Sequence, residues 1–309
     1  MFFHEGASEQ GTIYLIIGQY VVMLSLDKEL LQRNFIDVTY HTKTKFYPDG
    51  SWESISATRP VFRESGWELS DKSDSKAGSR KKNKDEQSLD RSRRRASARL
   101  RDYALCTPFK YFVTLTFSAE KVNRYDLQGI LSKIRSWLDN RVRRNGLAYI
   151  LVPELHKDGA VHFHGFFTDS DIGFVDSGTI DMDGWKHPKR PRSERERERW
   201  LANGGRVVYN ISDWSYGFTT AIELYGEKAA AVGYCVKYVG KQKEKLGGRW
   251  YYSGGSLSLP TVVYYDYDYY DVVSAYPDSY TFEVEGANVA FVIRRGTRAT
   301  LNFGISGTE

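Results

Sequence analysis

The chain has 309 residues, 41% of them hydrophobic, and a net charge of +5, so it is long enough to bury a substantial core and only mildly basic. Its two cysteines, Cys106 and Cys235, have no paired spacing, which argues against a disulfide framework and makes a reducing cytoplasm the expected compartment. No GxxxxGK[ST] loop is present, so neither a nucleotide cofactor nor a fused ATP-driven helicase is expected.

Residues 1–70 alternate in the manner of short strands (Thr12–Ile17, Tyr20–Leu24, Ile36–Tyr40) and are expected to form a β-rich N-terminal unit. The apolar stretch Thr12–Leu26 is too short to cross a bilayer and is broken at Gly18-Gln19-Tyr20, so it reads as a β-hairpin and no membrane partner is expected. Residues 71–101 read as a basic linker and helix, with the linker over Ser70–Asp85 and the helix over Ser88–Leu105. Between Lys76 and Arg101, eleven basic residues face three acidic ones, a net +8 that leaves the rest of the chain net negative.

A core is expected over residues 102–245, with an insertion at about 169–225. It begins with a strand at Tyr111–Phe117. A helix follows, whose Leu127, Ile130, Leu131, Ile134, Trp137, Leu138 and Val142 mark one apolar face. Strands at Ala148–Leu155 and Val161–Thr168 come next. Within the insertion, Pro188–Arg199 alternates charge as an exposed loop or short helix, and Val207–Ile211 and Gly217–Ile222 look like strands. Trp214 and Tyr216 are candidates for stacking on a nucleic-acid base, although core packing explains Trp214 equally well. Residues 246–309 form a C-terminal β extension that is aromatic and acidic. Its run Tyr264–Asp271 would repel phosphate. Strands and helices do not alternate throughout, so the class is α+β with a central antiparallel sheet, flanking helices and small β-rich additions at both ends.

The segment Val152-Pro-Glu-Leu-His-Lys-Asp-Gly-Ala-Val-His-Phe-His-Gly165 reads as strand, tight turn, strand. Alternate residues of a strand share a face, so His162 and His164 project together while Phe163 enters the core. Two convergent imidazoles suit a metal that needs a third ligand. A three-residue loop with a left-handed Gly159 would set Glu154 opposite His162 and place it on the histidine face, with His156 as a neighbour or spare ligand. A two-residue loop would turn Glu154 away. The three-residue loop is the expected one.

Residues Gly226–Lys245 have helical spacing. Val232, Cys235, Val236 and Val239 form an apolar stripe, and Tyr234, Lys237, Tyr238 and Lys241 lie on the other side. A tyrosine can act as a covalent nucleophile, and nearby cations favour its phenolate.

Phe112-Val-Thr-Leu-Thr-Phe117, His162-Phe-His-Gly165 and Tyr234-Cys-Val-Lys-Tyr-Val-Gly-Lys241 resemble the three ordered motifs of the HUH endonucleases, the rolling-circle replication initiators of phages and plasmids. The nearest likeness is to replication proteins of the filamentous gene-II and microvirus type. The resemblance implies an HUH fold and a single-strand DNA nicking and joining endonuclease that forms a 5′-phosphotyrosine. It assigns His162, His164 and Glu154 as ligands of Mg²⁺ or Mn²⁺. Tyr234 becomes the first nucleophile and Tyr238 the second, with Lys237 and Lys241 on the phosphate or the phenolate. The implied partners are single-stranded or supercoiled origin DNA and the host's helicase and polymerase. Arg93, Arg94, Arg95, Arg99 and Arg101 then read as phosphate contacts leading into the first motif.

A relaxase or a tyrosine HUH transposase would use the same chemistry, but most relaxases place the nucleophile before the histidines. A cupin-like metal protein also uses His-x-His, but its acid normally follows the pair and another histidine comes later. A DNA-binding protein that has lost catalysis is a third alternative, against which the presence of both histidines, Glu154 and both tyrosines argues.

Overall fold

The computed structural model describes residues 12–17, 20–25, 39–62, 80–156, 158–224, 228–284 and 288–297. The chain divides into two units, one made of 75–260 and the other of 1–74 together with 261–309.

In the 75–260 unit, seven strands form one antiparallel sheet. In chain order they are β5 (Phe109–Phe117), β6 (Tyr149–Leu155), β7 (Val161–Thr168), β8 (Phe174–Asp181), β9 (Arg206–Ile211), β10 (Gly217–Glu223) and β11 (Tyr252–Gly254), and across the sheet the order is β11-β6-β7-β5-β10-β9-β8. β5 alternates strictly between buried and half-buried residues, which gives the sheet two distinct faces.

One face is apolar and is covered by helix α2 (Leu127–Asn145). Asp126 caps the first turn by accepting from the Gly129 amide at 3.0 Å, and Gly146 ends the helix in the left-handed region at φ 67°. Between these stops Ile130, Leu131, Ile134, Trp137 and Leu138 are buried against Val113, Leu115, Phe117, Phe163 and Phe167. Trp214 belongs to this core, with its indole N–H donating to the Thr116 carbonyl at 3.3 Å, so core packing and not base stacking is its role.

Helices α1 (Arg80–Cys106) and α4 (Lys228–Lys241) cover the other face. Leu100 and Ala104 of α1 and Val232, Cys235 and Val239 of α4 pack on Ile150, Val152 and Phe166. The apolar stripe read in the sequence is therefore the buried one. Both cysteines are buried and neither forms a disulfide; burial pushes the Cys235 thiol up to about 12, which makes it inert core.

Three boundaries differ from the expected ones. The basic helix starts at Arg80 and runs to Cys106, so it crosses residue 101, and its buried side closes the core. The region expected as an insertion supplies β8, β9 and β10, three of the seven strands and all of one side of the sheet, along with the short helix α3 (Glu194–Ala202). Residues 252–254 form the strand that pairs with β6 at the opposite edge, so the core continues past 245.

The other unit joins both ends of the chain. β1 (Thr12–Ile17) and β2 (Tyr20–Ser25) pair as the expected hairpin. Five strands make a second antiparallel sheet: β3 (Thr39–Phe46), β4 (Trp52–Phe62), β12 (Thr261–Tyr265), β13 (Tyr280–Val284) and β14 (Val289–Gly296), in the order β12-β3-β4-β14-β13. The N-terminal and C-terminal additions are thus halves of one sheet. Residues 36–38, and 70–79 of the expected linker, lie outside the described residues. The acidic run divides its labour. Tyr264 and Tyr265 end the edge strand β12, while Asp268 and Asp271 form a capping box that starts α5 (Tyr269–Ala275).

Gly165 marks the tightest point of the core sheet. A β-carbon there would sit 1.8 Å from the Ile150 carbonyl oxygen. Gly165→Ala must therefore push β6 and β7 apart, and it should lower unfolding stability by about 2 kcal/mol, as overpacking generally does. Urea denaturation measures the loss. Gly146→Ala is the control, because nothing lies within 4 Å of its added carbon and it isolates the backbone effect of a positive φ.

Candidate active site

The turn between β6 and β7 decides the site. The His156 amide donates to the Ala160 carbonyl at 2.8 Å and Gly159 has φ 85°, which is the three-residue loop with a left-handed glycine. Asp158 tightens it by accepting from the Ala160 amide at 3.0 Å. Glu154 consequently lies opposite His162, and Val152 opposite His164. The Glu154 carboxylate reaches the His164 Nε2 at 2.9 Å. His156 stacks on His162 with ring centroids 4.1 Å apart, so it is a neighbour of the pair.

On its other side β7 pairs with β5, which sets Thr114 opposite His164 and Thr116 opposite His162. The Thr114 hydroxyl lies 3.0 Å from the His164 Nδ1 and the Thr116 hydroxyl 3.1 Å from the His162 Nδ1. These hydroxyls orient both rings and hold Nδ1, leaving each Nε2 as the nitrogen turned to the site's chemistry. The two threonines were not among the expected site residues. Their signal was the two-residue spacing in Phe112–Phe117, which matches that of the histidines, but the pairing of β5 with β7 was needed to give it meaning.

Burial, reinforced by the neighbouring histidines, pushes His164 down to about 4, and burial likewise lowers His162. Both rings are neutral near pH 7. Burial raises the Glu154 carboxyl above its ordinary range, opposed by His156 and Lys241. The Glu154–His164 contact is then a hydrogen bond from a neutral imidazole rather than an ion pair.

Helix α4 brings the tyrosines over this row. It crosses three strands in turn: Tyr234 meets Phe112 of β5 edge-on at 5.6 Å, Tyr238 stacks on His164 of β7 at 5.2 Å, and Gln242 just past its end donates to the Pro153 carbonyl of β6 at 2.7 Å. The two phenol oxygens are 2.6 Å apart, with Tyr234 the outer and more exposed ring at 42%. The Tyr238 phenol is held above its ordinary range, first by burial and then by its bond to Tyr234 and the charge of Glu154. This shift is opposite in direction to the one expected from neighbouring lysines. Lys241 lies over the Tyr238 ring face, 5.6 Å from its centroid, and Lys237 is exposed on the same helix.

The arginines of α1 separate. Arg94, Arg95 and Arg99 are exposed, with Arg94 paired to Asp90 at 2.8 Å and Arg99 over the Tyr103 ring. Arg93 is half-buried and turns inward to Asp90 and to the Gln242 carbonyl at 3.2 Å, where it ties α1 to the end of α4. Arg101 is half-buried as well.

Residues 110–243 match the family model described as Replication-associated protein, ORF2 and gene-II protein type. This segment is similar to a replication-associated protein family. The matched residues run from β5 to just beyond α4 and contain both threonines, Glu154, both histidines and both tyrosines. They make up a little under half of the chain and leave out α1 and the whole of the second unit. No curated protein and no solved structure matches the chain. The α+β architecture, with two large antiparallel sheets and five helices among the described residues, is consistent with an HUH-type fold, and no described helix is long and apolar enough to cross a membrane.

The donor set fits a divalent ion chemically: two neutral imidazoles held through Nδ1, with a carboxylate on the facing strand. Among the described residues no group of three or more His, Cys, Asp or Glu side chains stands as a ready ligand cage.

Because burial raises the Tyr238 phenol, an ultraviolet tyrosinate titration should lose a component above the ordinary phenol range in Tyr238→Phe. The native state favours the neutral phenol, so its stabilising effect is complete below about pH 10 and declines as pH rises further.

Proposed function

We propose that the domain is a metal-dependent single-strand DNA nickase that starts rolling-circle replication through a 5′-phosphotyrosine. The observation that carries this reading is the stack of Tyr238 on His164, which brings a hydrogen-bonded pair of phenols to the face shared by His162, His164 and Glu154. The match of residues 110–243 to a replication-associated family model supports the same reading.

His162, His164 and Glu154 would hold Mg²⁺ or Mn²⁺, and a bound ion supplies charge withdrawal from the scissile phosphate. A threonine hydroxyl can accept as well as donate. Thr114 and Thr116 can therefore take the Nδ1–H of the tautomer in which Nε2 offers its lone pair. Tyr234, the more exposed phenol, attacks phosphorus. Its proton passes to solvent, the Tyr238 hydroxyl 2.6 Å away donates to the developing phenolate, the P–O3′ bond breaks, and the 3′-oxygen takes a proton from solvent to leave a 3′-hydroxyl for a polymerase. One ester replaces another, so rejoining needs no nucleotide cofactor. Tyr238 takes the second cleavage after a round of synthesis. The exposed arginines of α1 (Arg94, Arg95 and Arg99) provide phosphate contacts, and such binding weakens with salt. The host's helicase and polymerase are the partners this chemistry needs.

Covalent capture on single-stranded DNA from the protein's own replicon tests the reading. With Mn²⁺, an adduct should form on Tyr234, vanish with EDTA and vanish in Tyr234→Phe. An adduct that survives Tyr234→Phe and is lost in Tyr238→Phe would reverse the two roles, and undiminished cleavage by His162→Ala would refute the metal site. Thr116→Val should lower Mn²⁺ affinity by about tenfold or more, as loss of a ligand-orienting partner generally does. Calorimetric titration reads that loss independently of cleavage.

A further inference from the structure

We propose that Phe218 is the platform on which a nucleobase beside the scissile phosphate stacks, an inference that rests on the nickase reading above. Phe218 is 72% exposed although it lies on β10, an interior strand of the domain's main sheet. Its place in the register gives that exposure a direction. Phe218 of β10 pairs with Thr116 of β5, Thr116 with His162 of β7, and His162 with Glu154 of β6. Directly opposed residues of an antiparallel sheet point to the same face, so these four side chains make one row across four strands.

The neighbouring rows set a boundary. Thr220, Thr114, His164 and Val152 form the next row, and Ile222, Phe112, Phe166 and Ile150 the one after it, where Phe166 and Ile150 are buried in the core beneath α1 and α4. The Phe218 row is therefore the one farther from that cover. Beside it, the pairing of β10 with β9 begins only at Ala221, so among the described residues none pairs with Phe218 on its outer side.

At about 4.8 Å between strands, Phe218 stands about 10 Å from His162 along the row. A DNA strand covers that distance within about three nucleotides, even at the stacked spacing of ~3.4 Å per phosphate. An unpaired base flanking the phosphate thus meets the exposed ring, and aromatic faces accept unpaired bases of any sequence. The stacking role considered for Trp214 falls to Phe218, four residues along, because Trp214 is turned into the core.

The nick is first mapped on single-stranded DNA of the replicon with the unaltered protein. Oligonucleotides spanning it are then made with one abasic site at each of the three positions on either side. Phe218→Ala should weaken binding to the intact oligonucleotide by about tenfold, read by fluorescence anisotropy. The loss should disappear on the oligonucleotide that is abasic at one particular position, and Phe218→Trp should restore affinity. Unchanged affinity of Phe218→Ala, or an equal loss on every abasic oligonucleotide, would overturn the platform while leaving the nickase intact. Absence of any adduct with the unaltered protein would instead bring down the nickase reading, and this inference with it. An unchanged thermal midpoint in Phe218→Ala separates lost stacking from lost folding.

Discussion

The register of a single hairpin governs this protein. One left-handed glycine, Gly159, lets His156 pair with Ala160 across a three-residue loop. Shifting that pairing by one residue would send every side chain of one strand to the opposite face. Glu154 would leave the histidines and enter the side filled by Phe163 and Leu151, where an unpaired carboxylate is costly. The apolar core and the polar site therefore enforce the same register. Because β7 is an interior strand, its register passes to β5 and, through β5, to β10, and this is how two threonines and an exposed phenylalanine come into line with the histidines.

The two faces of the sheet carry opposite demands. On the α2 face, alternating aromatic and aliphatic side chains supply stability through burial. On the other face, burial works through electrostatics. It keeps His162 and His164 neutral, raises Glu154 and holds the Tyr238 phenol protonated. Neutral imidazoles are the form that binds a metal, whereas a protonated Tyr238 is a hydrogen-bond partner of Tyr234 rather than a ready nucleophile. The unequal burial of two phenols one helical turn apart distinguishes them chemically, although in sequence they are the same residue with lysines at similar spacing.

Helix α4 can present its tyrosines only because its opposite side is anchored. Val232, Cys235 and Val239 bury against the sheet, and Arg93 of α1 and the Gln242 side chain fix its far end to the neighbouring helix and to β6. The basic helix α1 thus has two roles divided by its own periodicity. Its inward residues brace the tyrosine helix, and its exposed arginines face solvent.

What the sequence by itself determined was local. Period-two spacing read out the strands around Phe112, Leu151 and Phe163, period-3.6 spacing read out the buried faces of α2 and α4, and the Asp158-Gly159 turn gave the hairpin that groups Glu154, His162 and His164. These features depend on residues a few positions apart, so a short window of sequence contains them. The tertiary structure alone decided which strand lies beside which. It showed that β5 supplies Thr114 and Thr116 to the histidines, that the supposed insertion is one whole side of the central sheet, and that the two ends of the chain share one sheet. It also decided that Arg93 points inward and Trp214 into the core. Such pairings join residues tens to hundreds of positions apart, and they are chosen by the competition of whole surfaces for burial, which no local spacing records.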